Sequence, residues 1–396
     1  MKILHTSDLH LGAKTENRSR IDEQREVLDE IVEVSDRENV DVVAIAGDVF
    51  HTATPSAEAE DLFYDFLEKL TRNDNRVVLV VAGNHDDPKR LSACLPLAKR
   101  HNIVLCCDLA PLPTYPRRGS VQIVGTDRGF VKIEKDGEIL RAGLLPYPIE
   151  SRIAPSVEGE QIQECESYAQ KVSEWAKIAC KNFDESDFCL LVTHLYLVGA
   201  HEPCEEKKTK NRRQVKLGDS LAVPADVLPK CNYVAVGHLH STQQVACNNS
   251  TVFYSGATTK LRWFDDQPKV LIVNTKENSP KEVLLQKAKD IVWISAEENE
   301  IFEKLNRVDK SAFVYLSVVG TASLSATTVR QIRAEFPNVL SIGFVRKEET
   351  QESRESTKNL SPKELFVQFY LAKRGEKPKD DLVEAFLSLL EVKDEA

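Results

Sequence analysis

Apolar residues in this chain alternate between short continuous runs and longer stretches with helical spacing. Five of the short runs predict buried strands, because they are strand-sized, rich in β-branched residues and followed by polar residues. They cover residues 2–6, 40–46, 76–82, 188–192 and 233–236. Apolar positions three and four apart predict helices over residues 20–38, 57–71 and 161–182. This alternation favours a layered α/β core.

The region between residues 120 and 275 is richer in strands. Its further predicted strands cover residues 120–126, 129–135, 139–145, 251–254 and 269–274. Asp136-Gly137 predicts a tight turn between two of them. Together with the first five runs, these elements define a predicted first domain of residues 1–275.

Residues 276–345 predict a second, small α+β domain. Helices are expected over 296–305 and 325–336, and strands over 312–319 and 339–345. Residues 346–359 contain no apolar side chain, so we interpret them as an exposed polar linker.

The segment 360–396 predicts two short amphipathic helices joined by a loop. Ser361 and Glu364 form a capping box with Pro362 at the first helical position. The apolar faces contain Leu365, Phe366, Phe369, Tyr370, Leu382, Phe386 and Leu389. Two such helices cannot build a core alone. They either fold back on their own chain or bind a partner, and we favour a partner.

Composition limits the class of protein but does not define its activity. The 396 residues carry a formal net charge of −10 and 42% hydrophobic residues, which is typical of a globular protein of two or three domains. No apolar run is long enough to span a bilayer, and the chain lacks the pattern of a secretory signal. The nine cysteines show no framework spacing. We therefore expect a cytoplasmic protein with no membrane partner.

Metal-binding residue types follow each of the five buried runs. They are Asp8, His10, Asp48, Asn84, His194, His238 and His240. Mixed oxygen and nitrogen ligands suit Mn, Fe or Zn. Seven ligands are too many for one tetrahedral ion and fit two ions that share a bridge. Asp48, directly after a buried strand and Gly47, is the candidate bridge.

The ordered pattern D-x-H, G-D, G-N-H-D, T-H, G-H-x-H resembles the calcineurin-like metallophosphoesterase superfamily. That resemblance covers residues 1–275 and implies a two-sheet β-sandwich flanked by helices. The small second domain, polar linker and helical tail further resemble the SbcD-type nucleases, in which a capping domain orients DNA and the tail binds a coiled-coil ATPase of the SbcC type.

The resemblance also implies roles for individual residues. One divalent ion, Mn²⁺ or else Mg²⁺, would be held by Asp8, His10, Asp48 and His240. A second would be held by Asp48, Asn84, His194 and His238. His85 would act as the acid that stabilises the leaving oxygen, Asp86 would orient His85, and His51 would be a second active-site histidine.

Basic and aromatic segments are candidates for contact with DNA. The run between the last two groups of candidate ligands contributes Lys207, Lys208, Lys210, Arg212 and Arg213. It fits either a phosphate clamp or an ordinary solvated loop. Arg117-Arg118 and Arg262-Trp263-Phe264 could add contacts, although Trp263 and Phe264 could instead be core residues between the two domains.

The resemblance implies a homodimer that digests duplex ends from 3′ to 5′ and cuts single strands or hairpins. No segment resembles a base-reading motif, so cleavage should follow ends and structure. Two alternatives stay open at this point. One is a metallophosphodiesterase acting on small molecules, which leaves the tail without a purpose. The other is a non-catalytic scaffold, which the complete ligand set disfavours.

Overall fold

The computed structural model describes residues 1–148, 168–202, 222–277, 279–320, 323–346, 361–374 and 377–391. Its strands are, in chain order, β1 (Lys2–Thr6), β2 (Lys14–Thr15), β3 (Arg18–Ser19), β4 (Val42–Ala46), β5 (Val77–Val81), β6 (Ile103–Cys106), β7 (Gln122–Asp127), β8 (Phe130–Lys135), β9 (Glu138–Leu145), β10 (Phe188–His194), β11 (Tyr233–Gly237), β12 (Gln243–Val245), β13 (Thr251–Tyr254), β14 (Lys269–Asn274), β15 (Lys281–Leu284), β16 (Ile291–Ala296), β17 (Phe313–Gly320) and β18 (Val339–Arg346).

The α-helices among the described residues are mostly short. They are α1 (Ile21–Arg37), α2 (Ala57–Leu70), α3 (Pro88–Leu91), α4 (Leu95–Ala98), α5 (Tyr168–Ala179), α6 (Ile301–Asn306), α7 (Ala326–Glu335), α8 (Pro362–Arg374) and α9 (Asp380–Glu391).

Two large sheets face each other and form the main body. The first has the strand order β15-β14-β1-β4-β5-β6, and the second has the order β12-β13-β11-β10-β9-β8-β7. Alternate residues of β4 and β5 point into the core between the sheets, where Val42, Ala44 and Val81 meet Leu144 and Val192 of the second sheet. The predicted two-sheet α/β sandwich is therefore confirmed.

Helices cover the outer face of each sheet. Helix α2 is capped by Ser56, whose side chain accepts a hydrogen bond from Ala59 N, and it buries Phe63 and Phe66 against the first sheet. Helix α5 packs on the second sheet through Val172 and Ala176. Both faces of each central strand are thus buried, which explains why the strands are continuous apolar runs in the sequence.

A small three-stranded sheet of order β16-β17-β18 has its own apolar core. Strands β16 and β17 are parallel, and α6 and α7 contribute Ile301 and Ile332 to the core. The sequence prediction missed β16 and assigned a helix to residues 296–305. The structure places a strand at Ile291–Ala296 and starts the helix only at Ile301. Alternation over six residues was too short to be recognised as a strand.

The chain divides by compactness into two units. The first comprises Met1–Val318 and Leu324–Gly343, and the second comprises Val319–Ser323 and Phe344–Ala396. In the second unit, α8 and α9 pair through the rings of Phe366 and Phe386, whose centroids lie 4.2 Å apart. The domain boundaries at 275 and 345 remain predictions. Most of the predicted linker, and residues 161–167 of the third predicted helix, lie outside the described residues.

Within the described part of the chain, no helix is both long enough and apolar enough to span a membrane.

Candidate metal centre

The seven predicted ligands lie in loops or strand ends at one edge of the sandwich. Strands β1, β4 and β5 are parallel neighbours in one sheet, and β10 and β11 are parallel neighbours in the other. The carboxyl ends of parallel strands share an edge, so short loops deliver the ligands to one place. His194 is itself the last residue of β10, and the other six follow within a few residues of their strands.

The loops after β1 and β4 adopt a strained backbone. Asp8, His10 and Asp48 have φ values of 53°, 44° and 51°, in the left-handed region that non-glycine residues seldom occupy. Such residues cost on the order of 1–3 kcal/mol each and are typical of functional sites. The two loops are held by backbone hydrogen bonds, from Asp8 N to Gly47 O and from His10 N to Asp48 O, both of 3.0 Å.

Four predicted ligands form a first group. Nε2 of His10 lies 3.1 Å from Nε2 of His240 and 4.0 Å from Oδ1 of Asp8. It also lies 3.7 Å from Oδ2 of Asp48. The His238 backbone N–H donates to both carboxylate oxygens of Asp8 and fixes its orientation.

The second group contains the other ligands. The amide oxygen Oδ1 of Asn84 lies 3.0 Å from Nε2 of His194 and 3.0 Å from Nδ1 of His238. Nε2 of His194 lies 3.4 Å from Oδ2 of Asp48. The Nδ1–H of His194 donates to the carbonyl of Ala46 at 2.8 Å, which turns Nε2 towards the group.

Asp48 connects the two groups through one oxygen. Oδ1 accepts a hydrogen bond of 2.9 Å from the backbone N–H of His85, so this oxygen is already engaged. Oδ2 faces both His10 and His194. This is the arrangement in which a carboxylate can be shared by two cations.

The donor set fits divalent cations. Asp8, His10 and His240 offer three ligand atoms within 4.8 Å of one another, and so do Asp8, Asp48 and His194. Two ring nitrogens at 3.1 Å, as in His10 and His240, can face a single cation. A third such combination contains His10, Asp48 and His85, so geometry alone leaves His85 as a competing ligand.

Burial and charge prepare the side chains for cations. Burial lowers the pKa of His238 to about 3 and that of His240 to about 4, so both imidazoles are neutral at pH 7. Burial alone would lower the pKa of His194, but the neighbouring Asp48 carboxylate raises it to about 9. Burial alone would raise the pKa of Asp48, yet His194 and His10 hold it well below its usual range. The buried carboxylate thus attracts positive charge.

His85 borders the cluster from the solvent side. Its side chain is 41% exposed, and Nε2 lies 3.9 Å from Oδ2 of Asp48. The other ring nitrogen, Nδ1, lies 2.9 Å from the carbonyl oxygen of His51, to which it donates. The rings of His51 and His85 are stacked with centroids 6.1 Å apart.

The role expected for Asp86 requires a correction. Its carboxylate accepts hydrogen bonds from the backbone N–H groups of Gly83, Phe50 and Val49, at 2.8, 2.9 and 3.2 Å. The orientation of the His85 ring is instead set by the His51 carbonyl. Asp86 holds the Asp48 loop against the Asn84 loop, because its short side chain turns inward to amide groups of both loops.

Several supporting residues were not identified from the sequence. Ser7 donates to the carboxylate of Asp8, and Ser255 lies 2.8 Å from the Ser7 hydroxyl. Glu202 accepts a 2.5 Å hydrogen bond from the backbone N–H of His240. Tyr147 stacks on the His238 ring with centroids 6.1 Å apart. Serine and glutamate are too common to stand out in a sequence without the long-range contacts.

The structure does not test the predicted DNA contacts of the basic run. Lys207, Lys208, Lys210, Arg212 and Arg213 lie outside the described residues. Arg118 pairs with Asp74 at 3.3 Å.

Gly83→Ala should disable the metal centre through a steric clash. A Cβ at Gly83 would overlap the backbone nitrogen and carboxylate of Asp48, with the carboxylate carbon only 2.8 Å away. Either Asp48 or the Asn84 loop must shift, so we expect lower metal content and at least a tenfold loss of phosphodiester hydrolysis, about 1.4 kcal/mol in the barrier. Gly125→Ala is the matched control, because its Cβ would meet nothing closer than 3.6 Å. Equal activity of both variants would contradict this packing.

Comparisons with known proteins agree with this architecture. A family model described as calcineurin-like phosphoesterase matches residues 1–242. The chain is 31% identical over 402 aligned positions to the SbcD subunit of the SbcCD nuclease from Bacillus subtilis, an alignment that covers 98% of this chain and 97% of that protein. It is 22% identical over 351 positions to the protein of the same name from Staphylococcus epidermidis, covering 87% and 86%.

Among solved structures, a dimetal phosphatase from Danio rerio is 12% identical, with a TM-score of 0.38, and the match covers 69% of this chain and 91% of that one.

The sandwich and the Asp, Asn and His residues at its edge define a metal-dependent phosphoesterase, a class of hydrolase. The family-model match spans more than half of the chain, and the alignment with the Bacillus subtilis protein extends over nearly its whole length. The chain belongs to the calcineurin-like phosphoesterases and, among them, to the SbcD-type nucleases.

Proposed function

We propose that this chain is a DNA nuclease that uses two divalent ions, Mn²⁺ in preference to Mg²⁺, and acts in the cytoplasm in DNA repair and recombination. The observation that carries the proposal is the pair of ligand groups that meet at Oδ2 of Asp48. One ion would be held by Asp8, His10, Asp48 and His240, and the other by Asp48, Asn84, His194 and His238. Ions held there would lower the pKa of water and offset the charge on phosphoryl oxygens.

His85 and His51 would supply the acid and the phosphate contact beside the ions. The backbone N–H of His85 fixes Asp48, and the His51 carbonyl fixes the His85 ring. That carbonyl accepts from Nδ1–H and so directs Nε2 towards the site, from where an Nε2–H would donate to the leaving oxygen. The His51 side chain lies beside the same ring, where it can contact a scissile phosphate.

DNA, rather than a small phosphodiester, is the proposed substrate. The SbcD-type relatives are named nuclease subunits, and the Bacillus subtilis protein aligns with this chain through the small sheet and the helical tail. A small-molecule enzyme would have no use for these additions. We propose that residues 276–345 cap the site and orient DNA, and that Lys207, Lys208, Lys210, Arg212 and Arg213 contact its backbone.

The proposed partner is an SbcC-type coiled-coil ATPase bound by the helical tail. Leu365, Phe369 and Leu382 are 43%, 62% and 41% exposed, whereas Phe366 and Phe386 pack on each other. Exposed apolar side chains on a paired helix are typical of a docking face. The proposed face also includes Tyr370 and Leu389, of which the Leu389 side chain lies outside the described part of the chain. The chain would act as a homodimer in a heterotetramer with the ATPase.

A polarity-resolved digestion tests the proposed nuclease. Purified protein and Mn²⁺ would be incubated with linear duplex DNA labelled at either the 5′ or the 3′ end. Progressive shortening from the 3′ end, and its arrest by a chelator, are expected. A protein that hydrolyses bis(p-nitrophenyl) phosphate but leaves duplex ends, hairpins and single strands intact would be the small-molecule phosphodiesterase instead.

The tail gives a separate prediction. Deleting residues 360–396 should spare Mn²⁺-dependent hydrolysis of DNA and abolish ATPase binding. Phe369→Ala should weaken that binding about 30-fold, as expected for an aromatic hot spot. Lys363→Ala, an exposed polar change on the same helix, serves as the control and should bind normally. The proposal fails if the deletion lowers basal activity while ATPase binding, measured by calorimetry, is retained.

A further inference from the structure

A row of aromatic side chains extends from the loop before β14 onto the small sheet. Trp263 and Phe264 are in T-shaped contact, with ring centroids 5.4 Å apart. Trp263 lies 5.9 Å from Trp293, and Trp293 is stacked on Tyr315 at 6.2 Å with an interplanar angle of 17°. We call Trp263, Trp293 and Tyr315 the aromatic row.

Trp293, in the middle of the aromatic row, is held in a fixed position and is open to solvent, whereas Trp263 and Tyr315 are half-buried. Trp293 and Tyr315 are direct partners across the parallel strands β16 and β17, so their rings have a fixed spacing. Trp293 is nevertheless 46% exposed. A tryptophan left half in water forgoes a large part of its burial free energy, which makes it a candidate for binding a ligand.

The loop that carries Trp263 is bonded to the loop that carries the metal ligand His240. Arg262 Nη1 lies 3.7 Å from Oε2 of Glu202, whose Oε1 accepts from His240 N. Ser241, next to His240, donates to the carboxylate of Asp266. Two connections therefore join the aromatic loop to the metal centre, and Glu202, only 7% exposed on its side chain, anchors one of them.

Arg262 adds positive charge at the end of the aromatic row nearest the metal centre. Its side chain is 43% exposed, and its guanidinium carbon lies 5.6 Å from the centre of the Phe264 ring. Flat rings beside an exposed arginine are the two features with which proteins hold single-stranded nucleic acid: bases stack on the rings and phosphates meet the cation.

We propose that the aromatic row stacks with unpaired bases of the strand that is cut at the metal centre. Bases inside an intact duplex are covered by their neighbours, whereas unpaired bases present both faces to rings of this kind. The row would hold single-stranded ends or hairpin loops while Arg262 contacts the backbone. This inference rests on the proposed nuclease function and adds the surface that would hold the unpaired strand.

Binding of fluorescent oligothymidine to the full-length chain, measured by anisotropy without divalent metal, tests the row. Trp293→Ala should weaken binding about 5- to 150-fold, the effect of removing one stacked base. Trp293→Phe should restore most of it. An abasic oligonucleotide of equal length should bind wild type and Trp293→Ala equally. Tyr64→Ala, which removes a 37% exposed ring from α2, is the control and should bind like wild type.

The outcomes separate this inference from the proposed function. Unchanged oligothymidine binding by both Trp293→Ala and Trp263→Ala would overturn it. An equal loss of affinity for oligothymidine and for the abasic strand would also overturn it. A variant that loses only ATPase binding would overturn it too, because the row would then bind a protein partner. Trp293→Ala should hydrolyse bis(p-nitrophenyl) phosphate with Mn²⁺ at the wild-type rate. If the wild-type protein cleaves this ester but no DNA, the proposed nuclease function is wrong. The stacking inference is tested separately, by whether binding of the oligonucleotide depends on its bases.

Discussion

Asp48→Asn should abolish phosphodiester hydrolysis and empty both metal positions together. The amide keeps the size of the side chain and can still accept from His85 N through its oxygen. It removes the negative charge that faces His10 and His194 and the oxygen that both ligand groups share. The loss of several kcal/mol of transition-state stabilisation should lower the rate by a factor of about a thousand or more.

Metal content measured by mass spectrometry, beside the steady-state rate, checks this prediction. Asp29→Asn is the matched control, because Asp29 is 47% exposed and pairs with Lys69 on the helical surface. It should retain metal content and activity. An Asp48→Asn protein that keeps one ion in full occupancy would mean that the two groups bind independently and that Asp48 is not shared.

His85→Ala should separate catalysis from metal binding. The ring is exposed to solvent and its Nε2 lies 3.9 Å from Oδ2 of Asp48, but the proposed ligand groups are complete without it. We expect cleavage to fall about 10²- to 10⁴-fold, the usual contribution of a general acid, with two ions per chain retained. The His85 backbone N–H that holds Asp48 is unaffected by the substitution.

Two companion variants sharpen this test. His51→Ala should reduce activity less than His85→Ala, because the group that orients His85 is the main-chain carbonyl of residue 51. His101→Ala is the control, since His101 is 57% exposed and pairs with Asp74 at the surface. Loss of an ion together with activity in His85→Ala would make His85 a ligand, as its closeness to His10 and Asp48 allows.

The proximity of the seven candidate ligands could be predicted from the sequence because each follows a buried strand. Strand ends can be recognised from apolar runs, and parallel strands bring their carboxyl ends to one edge, so residues far apart in the chain could be placed at one site. Oδ2 of Asp48 lies 3.7 Å from His10 and 3.4 Å from His194, and the sharing of this carboxylate by two ions stays a prediction. The family resemblance, rather than periodicity, supplied the two-sheet arrangement and the division of ligands into two groups.

The supporting contacts could not be predicted in the same way. The resemblance implied that Asp86 orients His85, yet the Asp86 carboxylate turns to amides of Val49 and Phe50 on another loop. The left-handed backbone of Asp8 and His10 is set by hydrogen bonds to the Gly47–Val49 loop, which no local pattern records. Such details depend on which loops meet after folding.

The shared carboxylate is tested most directly by electron paramagnetic resonance of the protein loaded with two equivalents of Mn²⁺. Two ions bridged through Asp48 should be magnetically coupled and give the spectrum of an exchange-coupled pair, which should vanish in Asp48→Asn. A spectrum of isolated Mn²⁺ ions at full loading, in a wild-type protein that still cleaves DNA, would contradict a centre built around one shared carboxylate.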